Sequence, residues 1–148
     1  MRLQISESIV SQLTATASGP SSEEEINNGE RELGVQFPPE YREFLAKYGA
    51  ARIAGYQIAG LTHLDPDQPP MWDSVVRATR SLRDRHGKIG HYGDLIAISG
   101  DGMDNTFYLR TEEDVSGRVL ALGPGVEKEI ASTLSEFISK IHRGELNL

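Results

Sequence analysis

The segment Asp101-Gly102-Met103-Asp104-Asn105 concentrates the oxygen ligands that a divalent cation would need. Two carboxylates and one amide oxygen lie close together in the chain, and calcium prefers oxygen ligands. The two aspartates are spaced three apart, however, whereas a calcium loop of the EF-hand type places its ligands at alternate positions. Asp, Asn and Gly are also the residues that hairpin turns favour for backbone reasons. We therefore interpret the segment as a turn and predict no metal site.

Catalytic and cofactor-binding motifs are not recognisable elsewhere in the sequence. The chain contains no cysteine, which excludes disulfides and thiolate metal sites. A nucleophile elbow, a Walker-type loop and a dinucleotide fingerprint are all missing. The histidines lack the close spacing of a helical zinc motif: His63, His86, His91 and His142. We predict no catalytic residue, no cofactor and no enzymatic activity, although a motif search does not exclude an unfamiliar active site.

Aromatic residues offer a different kind of site, because Trp and Tyr are enriched in the binding hot spots of protein interfaces. Trp72 is the only tryptophan; it follows a proline-rich loop, and both core packing and a partly exposed anchor fit its position. The same two interpretations apply to the tyrosines. Our predicted partner-binding set combines aromatic and loop positions near the predicted sheet: Tyr56, Trp72, Asp101, Asp104 and Tyr108. Three aromatic residues on apolar helix faces are assigned to the core: Tyr41, Phe44 and Phe137.

The charge of the chain narrows the class of partner. The net charge is −7, from 22 acidic and 15 basic residues. Such a charge repels a phosphate backbone, so we expect no direct nucleic-acid binding, and it steers a basic protein toward the surface. The basic cluster of the chain lies on one predicted helix: Arg77, Arg80, Arg83 and Arg85, with Asp84 among them. A solvated helix face is the simpler interpretation of this cluster, and a site for an acidic partner or a phosphate is the alternative.

Three helices are predicted before the first strand. Residues Ile5 to Ala15 carry a narrow apolar stripe. The second helix begins after Ser22, because Ser22 and Glu25 have capping-box spacing, and it ends at Gly34. Pro39 suits the first turn of the third helix.

Consecutive strands are predicted in the middle of the chain. Residues 52–61 are predicted as one strand with glycine irregularities, and residues 94–99, 106–110 and 118–122 as three more. A helix beginning near Trp72 separates the first strand from the others. Gly123-Pro124-Gly125 ends the predicted sheet, and the last helix then carries an apolar face that starts at Ile130. Because short turns link the strands, they are expected to pair antiparallel.

Helices at both ends and strands between them predict an α+β fold, and 148 residues suit one domain over residues 1–148. No stretch approaches the roughly 18 consecutive apolar residues of a membrane span. The N-terminal segment also lacks the apolar core of a signal peptide. We therefore expect a cytoplasmic protein with no membrane contact.

The order of these segments resembles the Smi/Knr-like family of the SUKH superfamily. Residues 30–49 have the pattern Glu-x-x-Leu-Gly-x-x-Phe-Pro-Pro-x-Tyr-x-x-Phe-Leu-x-x-Tyr-Gly, which is similar to the opening segment of that family. Residues 94–102 are similar to its central strand and glycine-bearing turn, and residues 106–109 to the next strand. The segment Ser135-Glu136-Phe137-Ile138 resembles its closing helix. The resemblance covers roughly residues 20–142.

This resemblance implies a curved, mostly antiparallel sheet flanked by N-terminal and C-terminal helices, without established catalytic residues. Bacterial members are commonly immunity proteins that neutralise polymorphic toxins, many of them nucleases. Eukaryotic relatives act as interaction modules in cell-wall and signalling regulation. We therefore expect an immunity protein that occludes the C-terminal domain of a secreted toxin. The alternative is an interaction or scaffolding module without a toxin partner, and a third, weaker one is an enzyme or small-ligand-binding protein, which needs a deep pocket with convergent polar groups.

Overall fold

A computed structural model describes residues 3–61, 74–86, 94–102 and 105–146 of the chain. The described residues form one small domain with five α-helices and six β-strands, which confirms the predicted α+β class. The helices are α1 (Glu7–Thr16), α2 (Glu23–Leu33), α3 (Pro39–Lys47), α4 (Val75–His86) and α5 (Leu134–Arg143). The strands are β1 (Ala51–Ile53), β2 (Tyr56–Ile58), β3 (Leu95–Gly100), β4 (Thr106–Arg110), β5 (Val119–Gly123) and β6 (Val126–Ala131).

Local capping chemistry sets the ends of α2, as its sequence predicts. The Ser22 hydroxyl accepts from the Glu25 N–H at 3.1 Å, and the Glu25 carboxylate accepts from the Ser22 N–H at 2.8 Å, so both halves of the capping box are present. Gly34 ends the helix in the left-handed conformation at φ 69°, which costs glycine little because it has no Cβ. Pro39 occupies the first turn of α3, where the missing N–H has no helical partner to lose.

The region that was predicted as one strand over residues 52–61 is a β-hairpin, so that prediction is wrong. Ala54 and Gly55 both have positive φ, 50° and 85°. Two successive residues with positive φ reverse the chain as in a two-residue hairpin turn. β1 therefore pairs antiparallel with β2, with Ile53 opposite Tyr56.

The other four strands form an antiparallel sheet in the order β3-β4-β5-β6. The prediction that the sheet ends at Gly123 is wrong, because Gly123 pairs with Val126 and the chain returns as β6. Proline followed by a glycine at φ 72° suits the two central positions of a tight turn. Ile130, which was predicted to begin the face of the last helix, lies in β6 instead.

The hairpin and the larger sheet meet at β3. The Ala59 N–H donates to the Ile98 carbonyl at 2.8 Å, and the Ser99 hydroxyl donates to the Gln57 carbonyl at 2.7 Å. The segment after β2 therefore covers the edge formed by β3. The other edge of the four-stranded sheet is formed by β6.

Helices cover both faces of the four-stranded sheet. The larger core lies between the sheet and helices α1, α3 and α5, and it contains Tyr41, Phe44 and Phe137, each fully buried as predicted. On the opposite face, Ala78 and Leu82 of α4 pack in a smaller cluster over β3. Both faces of β3 are consequently buried, which explains its continuous apolar run.

Candidate functional site

Tyr56 lies in β2 with its side chain half-buried. Its ring centroid is 6.1 Å from that of Phe107, which packs edge-on against Phe137 at 5.4 Å. One side of the Tyr56 ring therefore belongs to the core. Its role in binding a partner stays a prediction.

Tyr108 is buried, with only 4% of its surface exposed. It lies in β4, and its side chain points to the face that α4 covers, where it packs in one cluster with Leu82, Leu95 and Leu120. The expectation of an exposed anchor at Tyr108 is therefore wrong. Strand alternation puts neighbouring residues on opposite faces, but the sequence did not reveal that a helix covers this face as well.

Asp101 organises the β3–β4 hairpin. Its carboxylate accepts from the side-chain amide of Asn105 at 2.8 Å and from the Asn105 N–H at 3.3 Å. Its own N–H donates to the Asn105 carbonyl at 3.2 Å. These bonds are those of a turn, in agreement with the interpretation of the segment as a hairpin loop. Trp72 and Asp104, the other two predicted binding residues, lie outside the described residues.

Two arginines of the predicted basic cluster bind the C-terminal end of α2. Arg83 donates to the Leu33 carbonyl at 2.9 Å, and Arg80 to the Glu32 carbonyl at 3.4 Å. The last carbonyls of a helix have no intrahelical donor and carry its partial negative charge. Burial, with a smaller contribution from Arg80, lowers the pKa of the Arg83 guanidinium. The two arginines therefore join α4 to α2, a role that neither the solvated-face nor the acidic-partner interpretation anticipated.

The Glu40 carboxylate and the Tyr41 hydroxyl of α3 also have structural partners. Glu40 is buried and accepts from the Ser135 N–H at 3.1 Å and from the Ser135 hydroxyl at 3.0 Å. The Tyr41 hydroxyl donates to the Ala59 carbonyl at 2.6 Å. These bonds join α3 to α5 and to the hairpin segment, so they hold the scaffold together.

Asp94 fixes the start of β3 against the β4–β5 loop. Its carboxylate accepts from the N–H groups of Thr111 and Glu112, at 3.0 and 3.1 Å, and pairs with Arg110 at 3.3 Å. Burial by itself raises the pKa of Asp94, but the hydrogen bonds from Glu112, Arg110 and Thr111 outweigh it and hold the pKa below its ordinary value. The carboxylate is therefore held ionised by its structural partners.

The outer strand β6 presents a short acidic surface, which we call the β6 edge and define as residues Glu127, Lys128 and Glu129. Both glutamates are exposed and lie opposite Leu122 and Leu120 of β5. Glu129 pairs with Arg118 at 3.1 Å, whereas Glu127 has no ion-pair partner among the described residues. Alternation places the two glutamates on the same face of the sheet as α4.

Further exposed carboxylates lie in the β4–β5 loop. The β4–β5 loop, whose short 3-10 helix spans Glu113–Val115, exposes Glu112, Glu113 and Asp114 and leads into the strand that pairs with β6. Within the described part of the chain, Glu113 and Asp114 have no ion-pair partner. Among the described residues, the β4–β5 loop therefore carries negative charge that no ion pair compensates.

A surface cleft of about 400 Å³ lies at the C-terminal end of α2, and six residues line it: Asn27, Glu30, Arg31, Gly34, Val35 and Gln36. Glu30 already accepts from the Phe37 N–H at 2.7 Å and from Arg42 at 2.6 Å. Among the described residues, no three His, Cys, Asp or Glu side chains are grouped to hold a metal ion. No described helix has the length and apolarity to cross a membrane.

The described structure defines a class: a small α+β protein in which helices cover an antiparallel sheet and one acidic strand edge is left open. Within that class, the chain belongs to the SUKH_5 family, described as SMI1-KNR4 cell-wall, whose model matches residues 4–143. The match confirms the resemblance found in the sequence and extends it toward the N-terminus to include α1. No curated protein matches the chain.

Proposed function

We propose that the chain is an immunity-type protein that binds the toxic domain of a bacterial polymorphic toxin and blocks it by occlusion. The observation that carries the proposal is family membership over residues 4–143, because bacterial members of this family are commonly immunity proteins. The expected partner is the C-terminal domain of a secreted toxin. The proposed activity is binding without catalysis, in the cytoplasm of the producing cell.

The charge distribution supports a basic partner surface. The chain has a net charge of −7, and both the β6 edge and the β4–β5 loop expose carboxylates. A nuclease toxin binds its substrate through a basic channel, and carboxylates placed over that channel replace the phosphates. Electrostatic steering of this kind accelerates association and makes it sensitive to salt.

Co-expression of the chain with the C-terminal domain of a toxin encoded beside its gene tests the proposal. We expect restored viability and co-purification of the two proteins, with an association rate that falls as salt is added. A toxin that stays active at saturating concentrations of the chain contradicts the proposal. An association rate independent of salt contradicts the steering part alone.

A matched pair of double variants locates the surface. Glu127→Gln with Glu129→Gln removes two charges from the β6 edge, and Glu23→Gln with Glu24→Gln removes two charges from the exposed start of α2. Both pairs change the net charge equally. We expect the first pair to slow association about tenfold at low salt, because rim charges act mainly on the association rate, and the second pair to change it little.

The family description, SMI1-KNR4 cell-wall, favours a second candidate, an interaction or scaffolding module in cell-wall regulation. An affinity purification from the native host, analysed by mass spectrometry, separates the two. Recovery of cell-envelope or signalling proteins, with no toxin gene beside the chain's own gene, favours the second candidate.

A further inference from the structure

Within the described part of the chain, the backbone of β6 has unpaired hydrogen-bonding groups on its outer side. Pro124 and Gly125 form a two-residue turn that closes on the pair Gly123 and Val126, and such a turn makes that pair hydrogen-bonded. Hydrogen-bonded and non-hydrogen-bonded pairs alternate along antiparallel strands. Glu127 and Glu129 therefore occupy non-hydrogen-bonded positions, with their N–H and C=O groups directed away from β5. No described residue makes a hydrogen bond to these backbone groups.

The open stretch has a definite end. The Lys140 ammonium donates to the Ile130 carbonyl at 2.8 Å, and the register shift between Val119 and Leu120 leaves Ile130 as the extra, bulged residue of β6. Bulges and charged side chains are the usual means of ending strand pairing at an edge. The accessible edge is therefore three residues long, 127–129, and this length suits pairing with one short strand.

We propose that the β6 edge binds an extended segment of the partner protein as an added strand, and that this segment carries Lys or Arg at alternate positions facing Glu127 and Glu129. Main-chain hydrogen bonds supply the affinity in this recognition mode, and alternate side chains supply the specificity. Opposite charges directly across a strand pair are favourable, and like charges are unfavourable. The identification of the partner as a toxin rests on the proposed function, but the edge and its charge pattern do not.

The same charge pattern disfavours a second copy of the chain as the occupant. Antiparallel pairing of β6 with its own copy requires a two-fold axis perpendicular to the sheet, so each face continues into the same face of the copy. Glu127 then lies opposite Glu129 of the copy, or one of the two glutamates lies opposite itself. Both registers oppose like charges, whereas a segment with alternating basic residues opposes unlike ones.

Two peptides of about nine residues, a usual strand length, test the inference on the full chain. One alternates Lys with Thr, and the other alternates Glu with Thr. We expect the Lys peptide to bind and to slow amide exchange at Glu127 and Glu129 by about tenfold or more at saturation. The Glu peptide should do neither. Equal binding of both peptides, binding of neither, or unchanged exchange at both amides would overturn the inference.

Backbone and charge contributions are separated by Glu127→Pro and Glu127→Gln. Proline removes the outward N–H, and it is tolerated at edge positions whose N–H faces solvent. We expect Glu127→Pro to bind the Lys peptide about tenfold more weakly than Glu127→Gln, because it lacks a main-chain donor as well as the charge. Equal affinity of the two variants overturns strand addition. If Glu127→Pro does not fold, the amide exchange of the native chain decides.

The outcome with a toxin domain distinguishes this inference from the proposed function. Neutralisation by Glu127→Pro at the native concentration, together with no exchange protection of Glu127 and Glu129 in the complex of the native chain, overturns strand addition and supports the immunity function. Binding of the Lys peptide without neutralisation of the toxin supports strand addition and contradicts the immunity function.

Discussion

Replacing Tyr41 by phenylalanine removes one hydroxyl from a fully buried position and leaves the ring in place. The hydroxyl donates to the Ala59 carbonyl at 2.6 Å, and this bond joins α3 to the segment after β2. The variant deprives the Ala59 carbonyl of that donor, and no water replaces it at a site with no exposed surface. We expect the free energy of unfolding at pH 7 to fall by about 1–3 kcal/mol, the cost of a buried polar group that loses its partner.

The pH dependence of this difference provides a second test. Burial raises the pKa of Tyr41 well above its ordinary value of 10.0, so the phenol stays neutral in the folded protein while it ionises in the unfolded chain. The neutral phenol therefore contributes fully to the free energy of unfolding below pH 10. As the pH rises further, this contribution falls by about 1.4 kcal/mol per pH unit. Tyr41→Phe lacks this loss. The difference between the two proteins should narrow between pH 10 and pH 11.

Urea unfolding of both proteins at pH 7, 9, 10 and 11, followed by circular dichroism, measures the difference directly. Tyr48→Phe is the matched control, since it lies in the same buried region and its hydroxyl makes no hydrogen bond to a described residue. We expect the control to change stability by less than about 0.5 kcal/mol. An unchanged midpoint for Tyr41→Phe at pH 7 refutes the hydrogen-bond argument, and a difference that stays constant to pH 11 refutes the coupling to ionisation.

Three further substitutions have directions fixed by the structure. Ala54→Asn should raise the thermal midpoint, by about 0.5–1 kcal/mol in stability, because alanine is strained at φ 50° and asparagine tolerates that region better. Asp94→Asn should lower the free energy of urea unfolding by about 1 kcal/mol at pH 7. Because the pKa of Asp94 is lowered in the folded protein, the stability difference between the two proteins should shrink as the pH falls below 3.8, the ordinary pKa of aspartate. Glu40→Ala should lower the free energy of urea unfolding by about 1–3 kcal/mol, since both donors of Ser135 lose their acceptor, with Glu40→Gln as the milder control.

The elements that could be predicted from the sequence are those whose causes are local. The capping box at Ser22 and Glu25, the left-handed glycine at position 34 and the proline at the start of α3 act within a few residues. Each therefore leaves its pattern in the sequence at the place where it acts. The strand Thr106–Arg110 was predicted with its observed bounds for a related reason: turn residues flank it on both sides.

The elements that were predicted wrongly lie where the local sequence pattern fits more than one structure. Ile130 and Leu134 are four residues apart, which is helical spacing, but Ile130 lies in β6 and Leu134 begins α5. The residues before Ile130 alternate in charge and not in apolarity, because an outer strand buries little of either face. The β1–β2 turn was missed because Ala54 adopts the positive φ that a sequence reader assigns to Gly or Asn.

The candidate site was the least predictable part, since exposure is decided by tertiary packing. Tyr108 has the alternation of a strand residue, but α4 covers the face to which it points. In the sequence, Arg80 and Arg83 have the spacing of a solvated basic helix face, but their guanidinium groups donate hydrogen bonds to carbonyls of α2. In each case the deciding neighbour is more than 20 residues away in the chain, beyond the range of any periodicity argument.

These intramolecular uses of charge favour the β6 edge over α4 as the proposed interface. Arg80 and Arg83 are committed to the helix end that they bind, and moving either guanidinium toward a partner would leave carbonyls of α2 without donors. The carboxylates of Glu113, Asp114 and Glu127 have no such commitment to described residues. They can therefore meet a basic partner without breaking an internal bond, whereas an acidic partner at α4 would first have to compete with the fold itself. Glu127 also lies on the β6 edge, whose outward backbone groups are unpaired among the described residues.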